Sequence, residues 1–305
     1  MVPVSTASPP EPIEGCEKVV SNGSTIVDLE KKNGPISSES VPSRTDDKTH
    51  ANSEVEYVES EDLADVEDVE SSVKTLLSDL NSKDWVLICE SLNNTRRLSI
   101  FHKDVLQDIL NEVVPLIVKS LKNPRSGVCK TALMAAGDVL MYYNDAIIDF
   151  LDPLLVQLLL KASQDKKFVC DAAENALVAM TKCVSPMLLL PKLHPYFVHK
   201  NPRIRAKASF CFSRCVPRLG VEGIRAYGIE KLMKVAASQL SDQLPESREA
   251  ARGLLLELQS VYEKSNDWSL IDTWEQFCHS NLSSLNAKAV LRVTSVAREG
   301  IVSIS

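Results

Sequence analysis

The chain has 305 residues, 41 of them acidic and 34 basic, for a net charge of −7, a length that suits one sizeable domain or two small ones. That charge is split: residues 1–72 hold 17 Asp and Glu against 5 Lys and Arg and a single aromatic, Tyr57, whereas residues 73–305 carry a net charge of +5. No apolar run approaches the ~20 residues that span a bilayer, and the N-terminus has no basic patch followed by an apolar block, so no membrane contact and a cytosolic location are expected.

Residues 1–60 are rich in Ser, Pro, Gly, Asn and acid. Such a composition buries too little apolar surface to offset the entropy of ordering it, so it reads as a disordered acidic tail, one that phosphorylation would make more acidic. Order is expected to begin near Leu63, where Leu63, Val66, Val69, Val73, Leu76, Leu77 and Leu80 recur at steps of three and four, the spacing of an amphipathic helix. From there to about residue 264 the pattern is helical. Breaks fall at Asn123-Pro124, Val184-Ser185-Pro186, Asn201-Pro202, Leu219-Gly220 and Leu244-Pro245. No stretch alternates long enough to make a sheet.

Stacking the starts of alternate helices exposes a repeat. The aligned position falls at Leu87, Val128, Val169, Ile204 and Ser247, at intervals of 41, 41, 35 and 43, and four residues later stand Ser91, Ala132, Ala173, Ala208 and Ala251. An apolar residue followed one turn later by a small one is what two closely packed helices need. The period matches the ~40–47 residues of HEAT and armadillo helix pairs. The expected fold is therefore all-α: a HEAT/armadillo-type α-solenoid of about five helix pairs over 61–264. In each pair a long apolar first helix (105–121, 147–160, 187–197, 229–240) leads through a short polar turn into the second. Trp268, Ile271, Trp274, Phe277 and Leu282 keep helical spacing, so 265–305 reads as a capping helix over the open core, weakly ordered from about Val293.

Repeats stacked in one direction bring all their intra-repeat turns to one edge. These turns offer Lys83 and Trp85; Lys122 and Arg125; Lys166 and Lys167; Lys200, Asn201 and Arg203, with Arg205 behind; and Asp242 and Arg248. Four consecutive turns are basic and one end carries a Trp, an array suited to an acidic, folded protein partner.

At these residues the chain resembles a TOG domain, the tubulin-binding HEAT module of CLASP and Crescerin-type microtubule regulators. Asp84-Trp85 with Leu92, Arg125-Ser126 with Val128, and Asn201-Pro202-Arg203-Ile204-Arg205 carry the resemblance, which covers about residues 61–264. It implies a turn edge that grips tubulin or microtubules, with a first-turn Trp packed on the partner and basic side chains paired with its acidic surface. The contacts would be Lys83, Trp85, Lys122, Arg125, Lys166, Lys167, Asn201, Arg203 and Arg248. Known members string several such domains on basic linkers, whereas this chain has room for one and its tail is acidic. Self-association or an adaptor would then supply avidity.

Two rival readings remain: a HEAT scaffold that holds a protein partner in its concave groove, and a nucleic-acid binder using Arg205, Lys207, Arg214 and Arg218. A net of +5 over 233 residues is thin for nucleic acid, and none is expected. Phosphate-loop, dinucleotide, zinc-protease and serine-hydrolase motifs are absent from the sequence; His194 and His199 lack an acidic partner at useful spacing. No enzyme or cofactor is implied. The eight cysteines (Cys16, Cys89, Cys129, Cys170, Cys183, Cys211, Cys215 and Cys278) show no CxxC. They are expected as free thiols packed in helix faces, with no metal bound.

Overall fold

The structure, a computed structural model, describes residues 57–265 and 273–302. Residues 1–56 of the tail expected over 1–60, Cys16 among them, and the cap residues Trp268 and Ile271 lie outside them. Helix α1 (Val69–Leu80) starts where Asp68 accepts a hydrogen bond from the Ser71 N–H at 3.1 Å, which satisfies one of the helix's orphan donors. Asp84 starts α2 (Trp85–Phe101) in the same way, accepting from the Val86 N–H at 2.9 Å. Next come α3 (Lys103–Gln107), α4 (Leu110–Leu121), α5 (Ser126–Tyr143), α6 (Leu151–Lys161), α7 (Lys167–Cys183) and α8 (Pro186–Leu193). The chain continues through α9 (Pro202–Cys215), α10 (Gly220–Tyr227), α11 (Ile229–Gln239), α12 (Pro245–Ser265), α13 (Trp274–Asn281) and α14 (Ser284–Val302). Pro186, Pro202 and Pro245 each open a helix, where a missing N–H costs nothing. No strand occurs among the described residues.

The helices form two layers. α1 packs on α2, α4 on α5, α6 on α7, α8 on α9 and α11 on α12. The second helices stack in the order α2, α5, α7, α9, α12, while α1 lies on α4 and α4 on α6. Ala132, Ala136, Ala173, Ala176 and Ala208 are all buried between them, and their small side chains let adjacent helices approach. Leu133, Leu140, Leu154, Leu158 and Leu177 are fully inaccessible. Each such side chain stabilises by roughly 2 kcal/mol, so tertiary burial rather than helix propensity holds the stack together. This is the expected α-solenoid.

The long first helices are interrupted. The span 105–121 divides into α3 and α4 because Ile109, at φ −114° and ψ 13°, leaves the helical region. Residues 147–160 begin as a 3-10 segment, Asn144–Phe150, after Asn144 turns left-handed at φ 48°. α8 stops at Leu193 and continues as the 3-10 turn His194–Val198, since Pro195 has no N–H to donate. α10 ends on Gly228 at φ +106°, where a Cβ would stand 2.7 Å from Glu230 Oε1.

Four of the five stations are buried as the repeat requires: Val128, Val169, Ile204 and Ser247. Leu87 is not; it is 37% exposed, and Ile88 and Leu92 fill the core instead. α2 packs on α1 and α5, and no second-layer helix lies outside it among the described residues, so its outward face has nothing to cover it.

Order also begins earlier than Leu63. Residues 57–63 form a strap across α2 and α5. Arg96 Nη1 donates to the Val58 carbonyl at 2.8 Å, Ser60 Oγ donates to Asp138 Oδ1 at 2.7 Å, and Arg96 Nε pairs with Asp138 Oδ2 at 2.7 Å. The Arg96 and Asp138 side chains are 1% and 5% exposed. A buried ion pair is stable only when its remaining donors and acceptors are satisfied, and the strap satisfies three of them. The domain boundary expected at 60/61 therefore falls inside a packed segment.

At the other end α13 and α14 cover α11 and α12. Trp274 packs against Tyr262 and Phe277 at centroid distances of 5.5 and 5.9 Å, and Cys278 is buried beside Met233. The Trp274 indole N–H donates to Thr294 Oγ1 at 3.2 Å. The cap expected here is present, and α14 extends to Val302.

Candidate partner-binding edge

Side-chain contacts tie the intra-repeat turns to their neighbours. Lys119 Nζ donates to Asn81 Oδ1 between the first and second turns, and the Arg125 guanidinium lies 5.2 Å from the centre of the Trp85 ring. Arg203 pairs with Asp165 at 2.5 Å between the third and fourth turns, and Arg205 with Asp242 at 2.5 Å between the fourth and fifth. Such contacts join the first turn to the second, and the third to the fourth and fifth.

The nine expected contact residues fare differently along it. Lys83, Lys122, Lys166 and Lys167 are exposed, and no ion pair among the described residues engages them. Arg125 and Lys166 occupy the positions that open α5 and α7, with no side-chain cap on either helix. The helix dipole disfavours a cation there, so local stability does not explain the choice of residue. Trp85 is half-buried: it packs against the core, and the Arg125 guanidinium lies over its ring. It is thus partly committed to the protein's own core and partly open to solvent.

In the fourth and fifth turns the polar groups are engaged inside the protein. Asn201 caps α9 by accepting from the Arg203 N–H at 2.9 Å. Arg203 also donates to the Ser163 carbonyl at 3.3 Å. Arg248 clamps its own turn through the carbonyls of Asp242 and Gln243 at 2.7 and 2.9 Å. Burial pushes the Asp242 carboxyl up, but hydrogen bonds from Arg205 and the Leu244 N–H outweigh it and leave the group below the ordinary carboxylate value.

The residues considered for nucleic acid are likewise committed. Arg205 bonds Asp242, and Lys207 bonds Glu174 at 2.5 Å. Arg214 donates to Thr181 Oγ1 at 3.1 Å, and Arg218 holds the carbonyls of Thr181 and Val184 at 2.6 and 2.8 Å, closing the C-terminus of α7. His199 Nδ1 accepts from the Asn201 N–H at 3.1 Å within the turn. The described cysteines are free thiols. Burial pushes Cys215 and Cys278 up to about 12, which keeps them protonated and unsuited to metal. No group of potential metal ligands occurs among the described residues. Cys129 and Cys170 donate to the Leu121 and Ala162 carbonyls at 3.5 and 3.0 Å, closing the ends of α4 and α6.

Three residues outside the expected set join this edge. Tyr57, Lys130 and Phe168 line an open cavity of about 620 Å³ together with Trp85, Pro124 and Arg125. Tyr57 falls inside the span that reads as tail, and its being the one aromatic in an acidic stretch is what sets it apart in the sequence. Phe168 directly precedes a core station yet is 43% exposed. Val86 and Val198 are exposed on the same turns. No helix among the described residues is long and apolar enough to cross a membrane.

The family described as CLASP N terminal matches residues 97–280, about three fifths of the chain, starting after the first turn. The TOG array regulator of axonemal microtubules protein 1 of Mus musculus is 36% identical over 107 residues, 35% of this chain and 6% of that protein. Its Homo sapiens counterpart is 30% identical over 138 residues, 45% of this chain and 8% of that protein. The matched stretch thus spans less than a tenth of these relatives. Among solved structures, a TOG domain of C. elegans Zyg9 superposes with a TM-score of 0.52 at 15% identity, over 79% of this chain and 91% of that one. The MAST/Orbit N-terminal domain gives 0.51 at 14% identity, over 73% and 96%. A TOG domain of Crescerin, described as regulating microtubules in the primary cilium, gives 0.51 at 16% identity, over 73% and 88%. These structural likenesses establish the fold.

Proposed function

The chain belongs to the CLASP N-terminal family, and on that premise we propose that it binds tubulin or microtubule ends through its turn edge and so organises or regulates microtubules, without catalysis. The observation that carries this reading is the first three turns. There Lys83, Lys122, Arg125, Lys166 and Lys167 are exposed beside a half-buried Trp85, and no ion pair among the described residues engages them. Uncommitted cations around an aromatic anchor suit a partner whose surface is acidic and folded, as tubulin's is. The relatives named as regulators of microtubules, and a TOG array described as recruiting tubulin, point to the same partner. The microtubule cytoskeleton of the cytoplasm is the corresponding location, and self-association or an adaptor would add the avidity of repeated domains.

One observation favours the scaffold reading. A groove of about 290 Å³ runs between α5 and α7, lined by Lys130, Met134, Met141, Phe168 and Asn175, room for one or two side chains of a bound peptide. The two readings separate on one experiment, co-elution of the full chain with unpolymerised tubulin at low salt beside a Trp85→Ala variant. A shifted complex that the variant loses supports the edge. No shift, with microtubule co-sedimentation also negative, overturns the tubulin reading and leaves the groove.

A further inference from the structure

The cavity on the turn edge is completed by a residue that the repeats do not supply. Trp85, Pro124, Arg125 and Phe168 come from the first three turns, and Lys130 from the first stretch of α5; Tyr57 comes from the strap. Lys130 Nζ sits 3.8 Å from the centre of the Tyr57 ring, as Arg125 sits 5.2 Å from that of Trp85. Two cations are thus stacked on two aromatic faces at the rim of one cavity, with the exposed Phe168 ring as a further wall. Cation–π stacking fixes the cations while leaving their outer sides charged. Burial raises the Tyr57 phenol above its ordinary value, so the ring stays neutral at physiological pH.

The strap does not lie there by accident of chain direction. Arg96 holds the Val58 carbonyl next to Tyr57, and Ser60 is fixed from both sides, donating to Asp138 Oδ1 at 2.7 Å and accepting from Arg96 Nη2 at 3.1 Å. The buried pair beneath therefore sets where the Tyr57 ring stands relative to Trp85.

We infer that Tyr57 is a partner-contacting residue: the cavity it closes takes an apolar side chain flanked by carboxylates on the tubulin surface, and Arg96, Asp138 and Ser60 act as positioning residues that hold it there. The inference rests on the tubulin reading and adds to it a binding subsite that a domain trimmed to its repeats would lack. An apolar side chain entering the cavity would be buried against its Tyr57, Trp85 and Phe168 lining, and its flanking carboxylates would meet Arg125 and Lys130 at the rim.

The test uses the full chain and fluorescently labelled, unpolymerised tubulin, comparing wild type, Tyr57→Ala, Tyr57→Phe, Ser60→Ala, Trp85→Ala and the Tyr57→Ala/Ser60→Ala double variant, with melting temperatures alongside. Tyr57→Ala is expected to weaken binding about fivefold or more with little change in melting temperature. Tyr57→Phe should bind as wild type does, because the ring rather than the hydroxyl meets Lys130. Ser60→Ala should fall between them. The double variant should be no weaker than Tyr57→Ala alone, since the strap acts through Tyr57. Wild-type affinity in Tyr57→Ala, with binding lost in Trp85→Ala, overturns the inference and leaves the tubulin reading standing. Equal losses in Tyr57→Ala and Tyr57→Phe, or an additive loss in the double variant, also overturn it. Absence of binding by the wild-type chain removes both.

Discussion

The first three turns and the last two present the same kinds of residue in the same register and put them to different uses. In the first three, Lys83, Lys122, Lys166 and Lys167 extend into solvent and Arg125 stacks on Trp85. In the fourth and fifth, Arg203, Arg205 and Arg248 each find an acceptor one turn away or within their own turn. The deciding difference is the neighbouring acids. Asp165 and Asp242 stand where a long guanidinium from the following or preceding turn reaches them, and the second turn, Lys122-Asn123-Pro124-Arg125, carries no acid at all. A count of cations along a repeat edge therefore overstates the surface available to a partner; what matters is how many are left over after the turns have tied themselves together.

The comparison breaks most sharply at Arg205. The Arg205–Asp242 pair is largely buried, with side-chain exposures of 16% and 5%. Arg205→Ala leaves Asp242 without its counter-ion, and removing one partner of a buried pair costs about 3 kcal/mol. For a domain of this size that lowers the melting temperature by about 6–10 °C, read by calorimetry, with tubulin affinity near wild type at a temperature where the variant is folded. The effect should depend on pH. Asp242 is held below its ordinary value, so the pair's contribution is full above the unfolded carboxylate pKa near 3.8 and is lost as pH falls through the lower folded value. The gap between wild type and Arg205→Ala should therefore close in strong acid. A gap that is constant with pH would mean the loss is packing rather than charge.

Trp85 comes next, and here both halves of the comparison meet in one residue. Truncating an aromatic anchor typically costs ~2 kcal/mol of binding, so Trp85→Ala should weaken tubulin binding at least tenfold. Because the ring is partly buried against the core, stability should fall too, by about 1–2 kcal/mol. A stability loss with affinity intact would assign Trp85 to the core alone.

Much of this architecture was legible in the residues. The interval between Val128, Val169 and Ile204, and the alanines one turn after each, reflect close helix packing, a constraint that leaves a periodic trace. Leu87 had the same trace and lies at the same place in its helix, but the pattern does not record whether a neighbouring repeat is there to bury it. The candidate edge was legible as turn composition, since the stacking of repeats dictates which turns align. Which cations stay free was not, because pairing depends on reach across some forty residues, as between Arg203 and Asp165 or Arg205 and Asp242. The strap was hidden for a related reason: Arg96 and Asp138, which hold it, are polar residues in the middle of helices, where sequence alone suggests a solvated face.

Lys166 and Lys167 sharpen the comparison from the free side. Replacing both with Glu should leave the melting temperature unchanged, since both are exposed and unpaired among the described residues. Tubulin binding should weaken about tenfold at low salt, and the difference should shrink as salt shortens the screening length to about 3 Å at 1 M. Unchanged affinity would remove the third turn from the interface.

The smallest effect is expected at Arg203, which tests whether the division between the two regions is real. Its partner Asp165 is 89% exposed and Arg203 itself 53%, so the pair gains little from a Coulomb attraction that water screens and gives up side-chain freedom to form. Arg203→Ala should therefore leave the melting temperature where it is. Its guanidinium is already shared between Asp165 and the Ser163 carbonyl, so a partner carboxylate would have to displace contacts that Arg203 already makes, whereas at Lys166 it would meet an unpaired ammonium. The affinity lost in Arg203→Ala should accordingly be smaller than in Lys166→Glu/Lys167→Glu, and Asp165→Asn in the wild-type background, which frees the guanidinium to turn outward, should raise affinity slightly above wild type. If Arg203→Ala instead weakens tubulin binding as much as the two lysines together, the fourth turn belongs to the interface, and pairing between turns serves to aim the guanidinium at the partner.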